Sequence, residues 1–254
     1  MANETPRSIS AWRRCYSEEL RVVTGIESTA LCRAFAQVPR EQFLGPPPWL
    51  FGSGTSLNRP QYRSTSRIHD LYHDIVVALD PERTLNTAQP SLMARMIDAL
   101  GAARGQHVLH LGCSSGYYTA ILATIVGQSG SVTALEIDEQ LAESAAKALR
   151  AYPQANVQSC DAACFTPQKV DAILVNAGVT HLPPLWLQQL RGTLVAPFFV
   201  GPDLASRDAL VLRIARTERG GFSAEPVTTV AIYPCTSLRD EALQMKLRAS
   251  IHSR

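Results

Sequence analysis

Val108-Leu109-His110-Leu111-Gly112-Cys113-Ser114-Ser115-Gly116-Tyr117 is the stretch that decides the fold. HVLHL (107–111) reads as a strand, the small residues after Leu111 as a turn, and YTAILATIV (118–126) as a helix. Gly112 and Gly116 let the backbone turn tightly and approach a ligand where a Cβ would collide. SVTALEI (131–137) supplies the next strand and places Glu136 at its end, 24 residues after Gly112. A carboxylate there can accept two hydrogen bonds from a ribose diol. Asp138 follows as the natural cap of a helix over 138–150.

Further out the period keeps alternating. NVQSC (156–160), VDAILVN (170–176) and GTLVAPFFV (192–200) read as strands, with a short proline-opened helix at 183–190. Strand–helix alternation of this kind predicts right-handed crossovers and a parallel sheet covered on both faces. ALVLRIART and EPVTTVAIY flank Gly220-Gly221 as a closing hairpin. The expected fold is therefore α/β: a Rossmann-like, doubly wound, mostly parallel sheet ending in an antiparallel hairpin. Upstream, Pro90 opens a helix over 90–100 whose Leu92, Met93, Met96, Ile97 and Leu100 share one face, the methionines as core fillers. Residues 17–37 read as helical and 53–68 as a loop. The division expected is a helical and loop extension over 1–80, a ligand-binding core over 81–237 and a helical tail over 238–254.

The composition, 46 % hydrophobic and 18 % charged over 254 residues, is that of a globular protein with a sizeable core. A net charge of +2 and scattered arginines give no basic surface for nucleic acid. No apolar run reaches membrane-spanning length, and the N-terminus has no apolar segment of the secretory kind. Six cysteines without a CxxC pair point to a reduced, cytoplasmic protein, with Cys160 and Cys164 as packing residues and no metal expected.

VLHLGCSSGYYTAILA resembles the first cofactor motif of class I methyltransferases, and specifically that of the protein-L-isoaspartate O-methyltransferase family. VPREQF (38–43), VDAILVNAGVTHLPPLWLQQLRGTLVAPF and RTERGGFSAEPVTTVAIYP resemble further blocks of the same family, so the likeness runs from about residue 30 to 235. It implies S-adenosylmethionine as cofactor. Gly112, Cys113, Ser114 and Gly116, with Tyr117 beside them, would hold its methionine portion. Glu136, with neighbouring Ile137, would hold the ribose, and Asp161 with Ala162 the adenine. A dehydrogenase would prefer GxGxxG, and Ser114 replaces the middle glycine here.

Three positions depart from the family pattern. His110 stands where an acid is usual, either accepting a hydrogen bond in its stead or serving as a buried structural imidazole. Ser114 stands for a glycine. Leu-Asn-Thr-Ala-Gln-Pro-Ser (85–91) resembles the family's Thr-Ile-Ser-x-Pro segment, which lies over the cofactor and orients the acceptor; its serine falls on Ala88. Asn86, Thr87 and Ser91 are the substitutes at hand, although Asn86 and Thr87 could equally cap the helix at Pro90. Asn176 and His181 should face the same cleft.

Displacement at a sulfonium needs a positioned nucleophile and exclusion of water, and a carboxylate is already ionised near neutral pH. The expected activity is O-methylation of a carboxylate on a peptide, protein or biosynthetic intermediate, with Ala88 arguing for an acceptor other than damaged protein. Isoaspartyl repair, methylation of a hydroxyl or amine with His181 as base, and a non-catalytic cofactor- or partner-binding module are the alternatives. A metal hydrolase built on His69 and His73 lacks a third ligand. The first fifty residues, 201–208 and the tail are where selectivity or homodimer contacts would be built.

Overall fold

The computed structural model describes residues 6–52, 61–203 and 205–252. Two helices, α1 (Pro6–Thr24) and α2 (Thr29–Gln37), come first. The helical character expected over 17–37 is thus divided between two helices. Gly25 takes a left-handed φ of +70°, its N–H returning to the Arg21 carbonyl, and Ser28 accepts from Leu31 N to start α2. A C-terminal glycine three residues before an N-cap serine is a stop and a start in the sequence itself.

Next comes a small antiparallel sheet of β1 (Trp49–Gly52), β2 (Arg63–Thr65), β3 (Val76–Asp80) and β4 (Leu85–Asn86), in the order β2-β1-β3-β4. The loop expected over 53–68 is interrupted by β2 at Arg63–Thr65, which pairs with β1; residues 53–60 lie outside the described residues. α3 (Pro90–Leu100) then carries Met93 and Met96 fully into the core.

The main sheet holds seven strands in the order β11-β10-β9-β8-β5-β6-β7. β5 (His107–Leu111), β6 (Ser131–Glu136), β7 (Ala155–Ser159), β8 (Val170–Val175) and β9 (Leu190–Phe199) are parallel; β10 (Asp208–Arg216) and β11 (Phe222–Ala231) close it as antiparallel hairpins. Between them run α4 (Tyr117–Val126), α5 (Glu139–Ala148) and α6 (Pro184–Gln189), and α7 (Glu241–His252) is the last element among the described residues. The helical character expected from Leu238 onward begins as a single 3-10 turn, Thr236–Leu238.

Alternation along each central strand sorts side chains onto two cores. Val108, Ala172, Leu174 and Val195 pack on one face against α3 and α4, while Leu109, Leu111, Ile173, Val175 and Leu194 pack on the other around Trp186. α4 is buried on nearly every side, consistent with its unbroken apolar run. The architecture is the α/β sheet with terminal hairpin that the alternation predicts.

Candidate cofactor and acceptor site

Strand register builds the site. Leu111 pairs with Leu135 and with Val175, and Glu136 with Ser159. The residues just past the carboxyl ends of four neighbouring strands therefore form one row: Gly112, Glu136, Cys160-Asp161 and Asn176. Ligands in open parallel sheets bind at this edge, beside the point where the strand order reverses. Here β5 is that point, with β6 on one side and β8 on the other.

A cavity of about 670 Å³ opens above the row. One wall holds Gly112, Ser114, Glu136, Ile137, Asp161, Ala162 and Asn176, and the opposite wall holds Asn86, Ala88 and Ser91. Glu136 is 8 % exposed. Its Oε2 accepts from Ser114 N at 2.7 Å and its Oε1 from Asp138 N at 3.2 Å. Burial raises its carboxyl above the usual range, against the lowering effect of those N–H donors. Asp138 lies below its ordinary value because Leu141 N and the Arg83 guanidinium hold its charge. Asp138 does cap α5, through Leu141 N at 2.9 Å.

Two non-glycine residues in the site are left-handed, Ser114 at φ +54° and Ala88 at φ +57°. Such a conformation costs an L-residue about 1–2 kcal/mol and persists where the surroundings impose it. Gly112, at φ +72°, leaves open a space in which a Cβ would sit 3.3 Å from the Asn176 carbonyl oxygen. Asn176 Nδ2 donates to the Gly112 carbonyl at 3.2 Å, tying the first and fourth strand ends together.

Five expected site residues do not line the cavity. Cys113 is buried, packing against Ala134 and Ala145, and burial raises its thiol pKa. Gly116 caps α4 at φ +86°, where a Cβ would meet Leu149 and Ala145 at 3.1 and 3.2 Å; it serves packing between α4 and α5. Tyr117 turns beneath the site into a cluster with Phe35 and Phe43. Thr87 is buried, its Oγ1 accepting from Val77 N. His181 pairs with the Thr180 hydroxyl. Neither Asn86 nor Thr87 caps α3, whose N-cap is Gln89; Asn86 Oδ1 instead accepts from Ala88 N at 3.0 Å.

His110 is fully buried on the α4 side of the sheet, with Nδ1 2.9 Å from Thr119 Oγ1. Burial drives its pKa down to about 3, so it is a neutral core imidazole away from the cavity. His69 stacks on Trp12 and His73 lies 3.6 Å from Glu19. Among the described residues no cluster of three or more His, Cys, Asp or Glu could hold a metal.

The sequence reading missed the third wall. Thr228 to Thr236, the end of β11 and the segment after it, line the cavity, as do Arg83, Gln89 and Arg95. Tyr233 reaches across to donate its hydroxyl to the Thr84 carbonyl at 2.5 Å, and Ser237 bonds the Asp161 carboxylate. The terminal hairpin was legible; its return over the strand ends was not, because no local pattern encodes a contact spanning 149 residues.

Residues 53–240 match the family model described as Protein-L-isoaspartate(D-aspartate) O-methyltransferase (PCMT). The chain is 34 % identical over 217 residues to Protein-L-isoaspartate O-methyltransferase 1 of Rhodopseudomonas palustris (strain HaA2), covering 83 % of this chain and 77 % of that one. It is 31 % identical to the protein-L-isoaspartate O-methyltransferase of Gloeobacter violaceus, over 86 % of this chain and 95 % of the relative. A relative from Thermotoga maritima, 28 % identical, is matched along 67 % of this chain and half of its own length. Among solved structures, a protein-L-isoaspartate O-methyltransferase superposes with a TM-score of 0.70 at 23 % identity, over 87 % of this chain and 65 % of its own. A Plasmodium falciparum chain described as a beta-aspartate methyltransferase in complex with S-adenosyl-L-homocysteine gives 0.65 at 16 % identity, over 89 % of this chain and 98 % of its own. These two likenesses carry the fold.

Proposed function

This chain belongs to the protein-L-isoaspartate(D-aspartate) O-methyltransferase family, and from that premise we propose that it methylates the free α-carboxylate of isoaspartyl residues in proteins, with S-adenosylmethionine as donor. One observation carries the reading: a single cavity joins the row Gly112–Glu136–Asp161 to the segment Asn86–Ser91, so donor and acceptor sites share one space.

The residues present fit the cofactor. Glu136 keeps lone pairs free beyond the two N–H groups it accepts, enough for a ribose diol. Gly112 leaves open the space a Cβ would fill. Gly112, Glu136 and Asp161 would hold S-adenosylmethionine, which when bound would supply an electrophilic sulfonium methyl group to a carboxylate placed in line with it. The acceptor is ionised at neutral pH, so no base is required, and His181 has no proton to remove. Asn86, Ala88 and Ser91 line the acceptor side and orient it; residues 233–236 line the wall facing them, tied to it by the Tyr233–Thr84 bond and, just beyond, by Ser237–Asp161.

The relatives named above all carry the isoaspartyl description, which favours damaged protein as acceptor over the specialised peptide or small-molecule acid suggested by Ala88. Among the described residues no helix is long and apolar enough to cross a membrane; all six cysteines are unpaired, which supports a reduced cytoplasmic setting. The net charge of +2 supports a protein acceptor over a nucleic acid.

Labelled S-adenosylmethionine should place base-labile label on an isoaspartyl peptide and none on its aspartyl isomer. Label confined to a small-molecule acid would overturn the assigned acceptor; binding of S-adenosylhomocysteine with no labelled acceptor would overturn the enzymatic reading.

A further inference from the structure

Arg40 is fully buried and has no carboxylate partner among the described residues. Its guanidinium donates to the carbonyls of Leu71 (2.7 Å), His73 (3.2 Å) and Ile75 (2.7 Å), and to Thr87 Oγ1 at 3.3 Å. It lies about 6 Å from the rings of Tyr16 and Tyr117. A buried cation without a counter-ion is expensive, and Arg40 is held here by those four acceptors, its Nε alone finding none, so its guanidinium fixes the backbone that surrounds it.

The bonds of Arg40 draw three alternate carbonyls toward one point and so bend the chain through residues 71–75. Asp74 lies inside that bend. Its Oδ1 accepts from Ser91 N at 2.7 Å and its Oδ2 from Gln89 Nε2 at 2.8 Å. Gln89 and Ser91 both line the cavity. On the other flank of the same turn, Thr87 N donates to the Val77 carbonyl at 3.0 Å, while Thr87 Oγ1 receives Arg40 and Val77 N. Ala88, at φ +57°, is thus clamped on both sides by groups that trace back to Arg40.

We propose that Arg40 and Asp74 are positioning residues for methyl transfer: through the turn at 71–75 they hold the acceptor segment Ala88–Ser91 in its reactive geometry while touching neither substrate nor cofactor. The inference rests on the methyltransfer reading above. Its physical basis is the steepness of positioning, since a misplacement of about 1 Å can cost on the order of 100-fold in rate. Thr87, whose side chain faces away from the cavity, acquires a role on this account: it is the point where Arg40 grips the segment.

The test compares Asp74→Ala, Asp74→Asn and Arg40→Met with the full-length wild type, measuring kcat and acceptor KM on an isoaspartyl peptide and Kd for S-adenosylhomocysteine. Asp74→Ala should lower kcat about 10–100-fold and leave the cofactor Kd within about twofold. Asp74→Asn should recover most of the rate, because its carboxamide oxygen can accept from Ser91 N and its NH2 can donate to a flipped Gln89 amide. Arg40→Met combined with Asp74→Ala should cost less than the product of the two single losses, since both act along one chain of contacts. Wild-type kcat in Asp74→Ala overturns the inference, as does a cofactor Kd that weakens in step with the rate, which is the mark of general structural damage. A wild-type enzyme that labels no carboxylate removes the methyltransfer reading, and the role given to Asp74 with it; a fully active wild type beside an unimpaired Asp74→Ala sinks this inference alone.

Discussion

Glu136 Oε2 accepts the main-chain N–H of Ser114 at 2.7 Å, so the residue ending the second parallel strand fixes the turn that follows the first. The same carboxylate faces the cavity, and the ligand-facing acid and the shape of the glycine turn are therefore one unit. The left-handed φ of +54° at Ser114, where the family pattern has glycine, is held in place by this bond.

Replacing Glu136 with alanine removes a charged acceptor for two ribose hydroxyls and frees the Ser114 N–H. Each hydrogen bond to a charged group is worth about 1.5–3 kcal/mol, so losing two should raise the Kd for S-adenosylmethionine by about 100-fold or more. Burial raises the carboxyl pKa, so the folded apoprotein binds more protons than the unfolded chain just above the ordinary value of 4.5. Wild-type stability should therefore fall, relative to Glu136→Gln, as pH rises from 4.5 through that window, while cofactor binding by the wild type strengthens. Calorimetry across the range checks both slopes; parallel curves for the two proteins would contradict the assignment.

His110 carries the opposite dependence. Its folded pKa of about 3 lies below the ordinary 6.5, so below 6.5 the unfolded chain takes up the proton and the folded protein does not. The stabilisation is complete above 6.5 and is lost as pH falls toward 3, by about 1.4 kcal/mol per unit while the folded imidazole stays neutral. His110→Gln, which can still meet the Thr119 hydroxyl, should lose Tm less steeply between pH 6.5 and 4.5 than the wild type, with unchanged S-adenosylhomocysteine affinity at pH 7.5. A weakened affinity there would place His110 in the cofactor site after all.

Ala88 separates backbone from side chain. Because φ is already +57°, Ala88→Gly should raise stability by about 1 kcal/mol on relief of the left-handed penalty, measured by thermal unfolding. Ala88→Ser adds a hydroxyl at the cavity wall and should raise kcat/KM for an isoaspartyl peptide about tenfold, the worth of one hydrogen bond to a carboxylate. Unchanged turnover in the serine variant would assign orientation to the backbone and to Asn86 and Ser91.

What the sequence by itself determined is the part whose determinants are local. The strand, glycine turn and helix at 107–126, the acid closing the next strand, the Asp138 cap and the methionine-filled face of α3 all follow from period and residue chemistry within about twenty residues. The break at Gly25–Ser28 was readable by the same signals and outweighs the apolar pattern running across it. Tertiary structure alone decided which side chains of those motifs meet the ligand space. Cys113, Gly116 and Tyr117 belong to the motif, yet they point into packing against α5 and α2, because the turn that exposes Gly112 and Ser114 must bury its other side. It also decided the partners far apart in the chain: Arg40 with residues 71–87, Asp74 with Ser91, and Tyr233 with Thr84. A buried guanidinium or a bridging hydroxyl is satisfied by any suitably placed carbonyl, and only the folded chain determines which carbonyl that is.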